Sequence, residues 1–211
     1  GLYGSRSISM SEFHLYRPFG PPIGFFPLHE DVVSSVNALV EGGGDAGVSD
    51  FSNQLAGEIA SEIRISSSLC VDLGLYTYFK RCVAGYIRNS LGVEITKFEI
   101  LDCWVVRQFR GEYNPIHWHN GHISGAGRLK LPEGMSDCSR KGSKRDGAIV
   151  FTHGSRQFLS SSTKAFEPQV GSLTIFPHYL MHHVYPFSVE GERRSISFNA
   201  LIDDSIYDVY G

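Results

Sequence analysis

Histidines are concentrated in one part of this 211-residue chain, and their spacing restricts the folds it can adopt. Seven of the nine histidines lie between positions 117 and 183. In the stretch NPIHWHNGHISG, residues 114–125, His117 and His119 are separated by a single residue. Side chains alternate between the two faces of a strand, so on a strand these two imidazoles would share a face. Two neutral imidazoles held together in this way form half of a transition-metal site.

The other half of such a site is expected in the stretch FPHYLMHHV, residues 176–184. It contains two adjacent histidines, His182 and His183, which would point to opposite faces of a strand. Only one of them can therefore reach a metal bound by His117 and His119. The neighbouring apolar residues do not decide which one it is, and both remain candidates at this point.

Composition excludes several classes of function. The formal net charge is −3 and no basic stripe is present, so we expect no nucleic-acid partner. No apolar run approaches the roughly 20 residues that cross a bilayer, so we expect no membrane contact. The cysteines form no C-x-x-C pair and are interpreted as reduced thiols, which predicts a cytoplasmic location. They are Cys70, Cys82, Cys103 and Cys138.

Periodicity divides the chain into a helical and a β-rich part. Apolar residues recur at helical spacing in the first part, after an extended apolar segment at residues 19–28. From Val93 onward, short runs rich in β-branched and aromatic residues alternate with turns, as in a sandwich or barrel. Helices are predicted through Val32–Val40, through Leu55, Ile59 and Ile63, and through Leu75–Ile87. We therefore expect one α+β, mainly β domain over residues 1–211, whose N-terminal extension and helices (1–92) pack on one sheet.

The motifs of the second part resemble those of a known family. H-x-H followed by Ser124-Gly125, then GSLTIFPHYLMHHV and RRSISFN, is similar to the 2-oxoglutarate- and Fe(II)-dependent oxygenases over about residues 104–202. The resemblance implies that residues 93–211 form a catalytic core with a double-stranded β-helix (jelly roll) fold. It also implies Fe(II) and 2-oxoglutarate as cofactors and hydroxylation of a small-molecule or peptide substrate. Neither the substrate nor the oligomeric state can be inferred from the sequence.

The resemblance assigns roles to individual residues. His117 matches the first metal ligand of the family and His182 the distal one, while His119 occupies a position where the family commonly has Asp or Glu. Arg193 matches the arginine that binds the far carboxylate of 2-oxoglutarate through paired hydrogen bonds. Ser195, two residues further on, would share its face and add a hydroxyl donor. Arg194 would face away, toward solvent or another element of the protein.

The absence of a carboxylate leaves several interpretations open. No Asp or Glu occurs between Trp118 and Leu131, so a third histidine ligand at His119 is the favoured interpretation. Alternatively, His119 lies beside the metal without binding it, or the chain has no oxygenase activity. Two other classes of protein also remain: a cupin-like three-histidine metalloprotein, and a non-catalytic jelly-roll module that binds a metal such as zinc. Affinity for 2-oxoglutarate separates the oxygenase from both.

Positions in the fold are also predicted for two tryptophans and a glutamine near the histidines. Trp118 lies between His117 and His119 and would point away from them, so we expect it in the core. Trp104 and Gln108 lie on a predicted strand and are candidates for the wall of the cavity.

Overall fold

The computed structural model describes residues 14–16, 19–42, 48–50, 61–135 and 145–210. Within these residues the helices are α1 (Glu30–Glu41), α2 (Ser67–Asp72), α3 (Leu75–Leu91) and α4 (Asp204–Tyr210). The strands are β1 (His14–Tyr16), β2 (Ile23–Pro27), β3 (Val48–Asp50), β4 (Ser61–Ile65), β5 (Phe98–Gln108), β6 (Asn114–His117), β7 (Ile123–Lys130), β8 (Ile149–Thr152), β9 (Thr163–Phe166), β10 (Ser172–Pro177), β11 (Met181–Val184) and β12 (Arg193–Ile202). No helix in these ranges is both long and apolar enough to cross a membrane.

The strands form two antiparallel sheets. The larger sheet has the order β1-β2-β10-β7-β12-β5-β4-β3, and the smaller has the order β6-β11-β8-β9. β2 and β4 come from the N-terminal part of the chain but pair with β10 and β5 of the C-terminal part. This arrangement is a jelly roll with N-terminal helices, so the predicted mainly β fold is confirmed. The prediction of a catalytic core over 93–211 is a matter of function and remains a prediction.

Helices cover one face of the larger sheet. Apolar side chains of α1 and α3 pack with the outward-facing residues of β5, β7, β10 and β12 in the main hydrophobic core. Because a strand alternates its side chains, every second residue of these strands is left for the opposite face. That opposite, inner face looks toward the smaller sheet, and the space between the sheets holds the candidate site.

Gly125 shows how closely α3 approaches the sheet. A Cβ atom at Gly125 would lie 2.2 Å from the ring of Phe198, its partner on β12. That ring in turn stacks on Phe79 of α3, with 4.3 Å between the ring centroids. A larger residue at position 125 would displace Phe198 and separate the helix from the sheet.

The prediction of a helix through Leu55, Ile59 and Ile63 is wrong at its end. Ile63 lies in β4, which pairs with β5, while Leu55 and Ile59 lie outside the described residues. A spacing of four residues places side chains on one face of a helix, but four is also a multiple of the strand period of two. The spacing alone could therefore not separate the two structures.

Candidate metal centre and its cavity

Three histidines converge between the two sheets. His117 is the last residue of β6 and is paired directly with His182 of β11, and His119 follows two residues after β6 ends. One ring nitrogen from each side chain lies within 4.8 Å of the others, and Nε2 of His119 is 3.2 Å from Nε2 of His182. The group of potential ligands found in the described ranges contains these three histidines and no carboxylate. The structure thus brings together the three residues predicted as metal ligands.

Backbone hydrogen bonds orient two of these rings. Nδ1 of His117 lies 2.7 Å from the carbonyl oxygen of Pro115, and Nδ1 of His182 lies 2.9 Å from that of Leu180. A carbonyl can only accept, so each Nδ1 carries the proton and donates it. The lone pair of each ring is therefore on Nε2, the atom that a metal would bind.

Burial keeps the three imidazoles neutral. It lowers the pKa of His119 to about 3, and the neighbouring His117 adds to the effect. The pKa values of His117 and His182 are also lowered, in both cases chiefly by burial. Neutral imidazole is the form that binds metal ions, so the site is suited to a cation at neutral pH.

His119 is held from outside the strands. The backbone N–H of His119 donates to the carbonyl oxygen of His178. Nδ1 of the His178 ring lies 2.9 Å from the carbonyl oxygen of His119. Nε2 of the same His178 lies 2.8 Å from the hydroxyl of Tyr207 in α4. The residue predicted to replace a carboxylate ligand is thus fixed by its contacts with His178, which is itself bound to the C-terminal helix.

Arg193 and Ser195 lie in the same cavity as the histidines. Both line it, and Nη1 of Arg193 is 3.4 Å from Oγ of Ser195, with the guanidinium donating. Arg193 is 3% exposed and its Nε donates to the carbonyl oxygen of Gly147 at 3.2 Å. In the part of the chain described here, no Asp or Glu forms an ion pair with it. Burial lowers its pKa to about 10, which leaves it charged at neutral pH.

Arg128 of β7 is a cavity residue that sequence reasoning missed. It is 3% exposed, it lines the same cavity, and its Nη1 donates to Oγ1 of Thr174 at 2.5 Å and to the carbonyl oxygen of Ala126 at 2.8 Å. The available signal was an arginine in a strand of small and apolar residues, flanked by Gly127 and Leu129. A solvent-exposed strand position accounts for that pattern equally well.

Arg194 has a different environment on the outer face. Its side chain is 1% exposed and donates through Nε and Nη2 to the carboxylate of Glu192 at 2.7 and 2.9 Å. Its Nη1 donates to Asn37 and Glu41 of α1. Of the two predicted environments, another element of the protein rather than solvent is therefore the observed one. Burial alone would raise the pKa of Glu192, but hydrogen bonds from Arg194 and Arg107 outweigh it and lower the pKa to about 2.

The aromatic predictions have mixed outcomes. Trp104 lines the cavity, with its ring centroid 5.5 Å from that of His119, and Gln108 lines it as well. Trp118 is 63% exposed, so its predicted place in the core is wrong. The strand ends at His117, and strand alternation therefore no longer determines where the next residue points.

His183, the other candidate for the third ligand, is half-buried against Tyr185 and is not part of the histidine group.

One buried carboxyl group shares the inner face with the cavity. Glu62 of β4 pairs with Val106 of β5, which lines the cavity, and Glu62 is 5% exposed. Its Oε2 has no hydrogen-bond partner among the residues described, and burial raises its pKa to about 7.

Comparison with protein families gives a match over the region of the site. Residues 102–199 match the family described as "Putative 2OG-Fe(II) oxygenase". This range contains the three histidines, Arg128, Arg193 and Ser195. The match confirms the resemblance predicted from the sequence. No curated protein matches the chain significantly.

Known structures share the fold at low sequence identity. An oxidoreductase of the 2OG-Fe(II) oxygenase family from Burkholderia pseudomallei is 12% identical, covering 84% of this chain and 83% of that one, with a TM-score of 0.56. HygX from Streptomyces hygroscopicus, with nickel, 2-oxoglutarate and hygromycin B bound, is 12% identical over 84% and 82%, with a TM-score of 0.56. A prolyl-4-hydroxylase from Pseudomonas putida is 16% identical over 84% and 91%, with a TM-score of 0.54. All three are similar to this chain in fold.

Proposed function

We infer that this chain, which carries the core of a 2OG-Fe(II) oxygenase, holds Fe(II) with His117, His119 and His182 and binds 2-oxoglutarate with Arg193 and Ser195. The reaction proposed is hydroxylation of a small-molecule or peptide substrate. The observation that carries this proposal is the presence, in one cavity, of three neutral imidazoles and a buried guanidinium without an acidic partner. The first group suits a divalent transition metal and the second suits a carboxylate.

The cavity combines a group of residues suited to metal binding with a residue suited to carboxylate binding. When bound, Fe(II) would activate O2, the oxidant, and 2-oxoglutarate would give two electrons by decarboxylation, so that one oxygen atom ends in succinate, the other in the hydroxylated substrate, and CO2 is released. The imidazoles of His117 and His182 are oriented by their Nδ1 hydrogen bonds, which leaves the Nε2 lone pair of each free for the metal. Arg193 is held by Gly147 and Ser195, so its guanidinium is already in place for a carboxylate.

A three-histidine set changes the charge of the site. Three neutral ligands leave both positive charges of Fe(II) uncompensated, whereas a set of two histidines and one carboxylate compensates one of them. Binding of an anionic co-substrate then carries more of the charge balance. We therefore propose that the metal and 2-oxoglutarate bind with strong mutual enhancement in this protein.

The test combines a metal measurement and a 2-oxoglutarate measurement on the whole protein. Wild type is loaded anaerobically with Fe(II), its metal content is determined, and 2-oxoglutarate is titrated while the weak visible absorption of the iron complex is followed. The same titration is made with Arg193→Ala and with His182→Ala. We expect about one iron per wild-type chain, a saturable absorption band, and a much higher 2-oxoglutarate requirement in Arg193→Ala. His182→Ala should lose iron.

Other results would favour the two competing classes of protein. Iron bound in wild type without any change on adding 2-oxoglutarate would overturn the oxygenase assignment and favour a cupin-like metalloprotein. Failure to bind iron, with retention of zinc, would favour a non-catalytic metal-binding module. Removal of iron by a chelator should abolish both the absorption band and the release of CO2 from 2-oxoglutarate.

We also propose a reducing compartment, the cytoplasm, as the place of action. Cys70, Cys82 and Cys103 are buried free thiols, which supports this proposal.

A further inference from the structure

Two buried arginines, rather than one, face the candidate cavity. Arg128 and Arg193 are each 3% exposed and both line the space that the three histidines border. Within the described ranges, neither forms an ion pair with a carboxylate. A buried cation is normally compensated by an anion, because removing a charge from water is costly. The cavity therefore has one more uncompensated charge than the proposed role of Arg193 explains.

Ser195 is a neighbour of both arginines, of Arg128 through strand pairing and of Arg193 through a hydrogen bond. Ser195 pairs with Arg128 across β12 and β7, and side chains of paired residues lie on the same face. Nη1 of Arg193 is 3.4 Å from Oγ of the same Ser195. The positive charge of Arg193 also adds to burial in lowering the pKa of Arg128, to about 9, so the two groups are close enough to repel each other. At neutral pH both still carry their charges.

Contacts on Arg128 fix its guanidinium in the cavity. Its Nη1 donates both to Oγ1 of Thr174 and to the carbonyl oxygen of Ala126, two uncharged acceptors. These bonds orient the group but leave its charge uncompensated. An orienting pair of neutral acceptors together with an uncompensated charge is the arrangement expected of a group that binds an anionic ligand.

We propose that Arg128 is a second carboxylate-binding residue, which together with Arg193 and Ser195 holds the far carboxylate of 2-oxoglutarate. This inference rests on the proposed function. Both guanidinium groups line the cavity, and two of them at one carboxylate offer it more charged hydrogen bonds than Arg193 alone. Arg128 thereby makes the site selective for a 2-oxo dicarboxylate over a 2-oxo monocarboxylate of the same length.

The test compares a dicarboxylate with its monocarboxylate analogue. 2-Oxoglutarate and 2-oxopentanoate are titrated calorimetrically into protein loaded with Ni(II), which keeps the measurement independent of turnover. The variants are Arg128→Met, Arg128→Lys and Arg193→Met. Arg110→Met serves as the control, because Arg110 forms an exposed ion pair with Glu190 and its change removes the same charge at a residue that does not line the cavity.

In Arg128→Met we expect the Kd for 2-oxoglutarate to rise roughly 10- to 100-fold, as for loss of a charged hydrogen bond. The Kd for 2-oxopentanoate should stay within about twofold of wild type, because that ligand has no far carboxylate. Arg128→Lys keeps the charge but not the planar fork, so it should give an intermediate loss. A purely structural role for Arg128 would weaken both ligands equally, and that result would overturn the inference.

The inference and the proposed function can fail separately. If wild type binds 2-oxoglutarate and Arg193→Met does not, while Arg128→Met binds it like wild type, the inference is wrong and the function stands. If wild type does not bind 2-oxoglutarate, the proposed function fails and the inference with it. Should Arg128→Met not fold, the comparison of the two ligands with Arg128→Lys decides the question.

Discussion

Arg193 and Arg194 are neighbours on β12, and both are almost completely buried, but their surroundings are opposite in kind. Arg194 is on the outer face, where Glu192, Glu41 and Asn37 accept its hydrogen bonds. Arg193 is on the inner face, where the acceptors found in the described residues are uncharged. Strand alternation alone separates the two, because adjacent residues face opposite sides of the sheet.

The difference extends to the two faces of the larger sheet. On the outer face Glu192 also accepts from Arg107, and Lys130 lies 3.9 Å from it, so the charges form a paired network. On the inner face the buried charged groups Arg128, Arg193 and Glu62 lack such pairing in the part of the chain described. Paired charges contribute to holding α1 on the sheet, whereas unpaired ones lower stability unless a ligand compensates them. The charges of the outer face thus stabilise the fold, and we propose that those of the inner face bind ligands.

Removal of Arg194 should have the largest effect on stability. Arg194→Met leaves the buried carboxylate of Glu192 without its bidentate partner, and we expect the free energy of unfolding to fall by roughly 3 kcal/mol. Urea denaturation followed by circular dichroism measures this change. The variant should still bind 2-oxoglutarate normally at temperatures where it is folded. A loss of binding without a loss of stability would contradict the division between the two faces.

Removal of Arg193 should change stability in the opposite direction. In Arg193→Met, without metal or ligand, we expect a free energy of unfolding equal to that of wild type or higher by up to roughly 2 kcal/mol. An unpaired buried charge is replaced by an apolar side chain of similar length. Urea denaturation beside Arg194→Met gives a direct comparison of neighbouring positions. If both variants are destabilised equally, Arg193 is a structural residue like Arg194.

Glu62 should make stability depend on pH. Its pKa is about 7 in the folded protein against an ordinary value of 4.5, so between these pH values only the folded state keeps the proton. Stability is therefore lost as pH rises from 4.5 toward 7, and the loss is complete above 7. Glu62→Gln should be more stable than wild type by roughly 1–3 kcal/mol at pH 8, with little difference at pH 4.5. Thermal melts across this range test the prediction, and a difference independent of pH would contradict it.

Ser195→Ala should have the smallest effect, and it tests the inner face only. The hydroxyl offers one neutral hydrogen bond beside Arg193, so its loss should raise the Kd for 2-oxoglutarate by roughly 2- to 10-fold. Stability should change little. Calorimetry measures the affinity, and an increase as large as that in Arg193→Met would mean that Ser195 contributes as much to binding as Arg193, against this expectation.

The sequence predicted the grouping of the three histidines better than it predicted their surroundings. His117 and His119 were recognised by their spacing, although only His117 lies in a strand. His182 and His183 could not be separated by spacing, because the choice depends on which face of β11 looks toward the other sheet. The pairing of His182 with His117 makes that choice in the structure.

The positions of Arg128 and Trp118 became clear only from the structure. Arg128 comes from a different strand than Arg193, and the register of β7 against β12 brings both to Ser195. Register depends on packing across the whole sheet, and a local pattern does not contain it. The prediction for Trp118 was wrong for a related reason. β6 ends at His117, so the strand alternation on which the prediction relied does not extend to Trp118.

The position of His119 outside β6 has a consequence for how such a site can change in evolution. The backbones of His117 and His182 are fixed by the pairing of β6 with β11, so a replacement there cannot shift its backbone without disturbing that pair. His119 is tied instead to the loop at His178, and through it to Tyr207. We therefore expect that a shorter carboxylate at this position would require a shift of these loops rather than of a strand pair. The predicted ligand whose chemical type differs from the family pattern is thus the one that lies outside the paired strands.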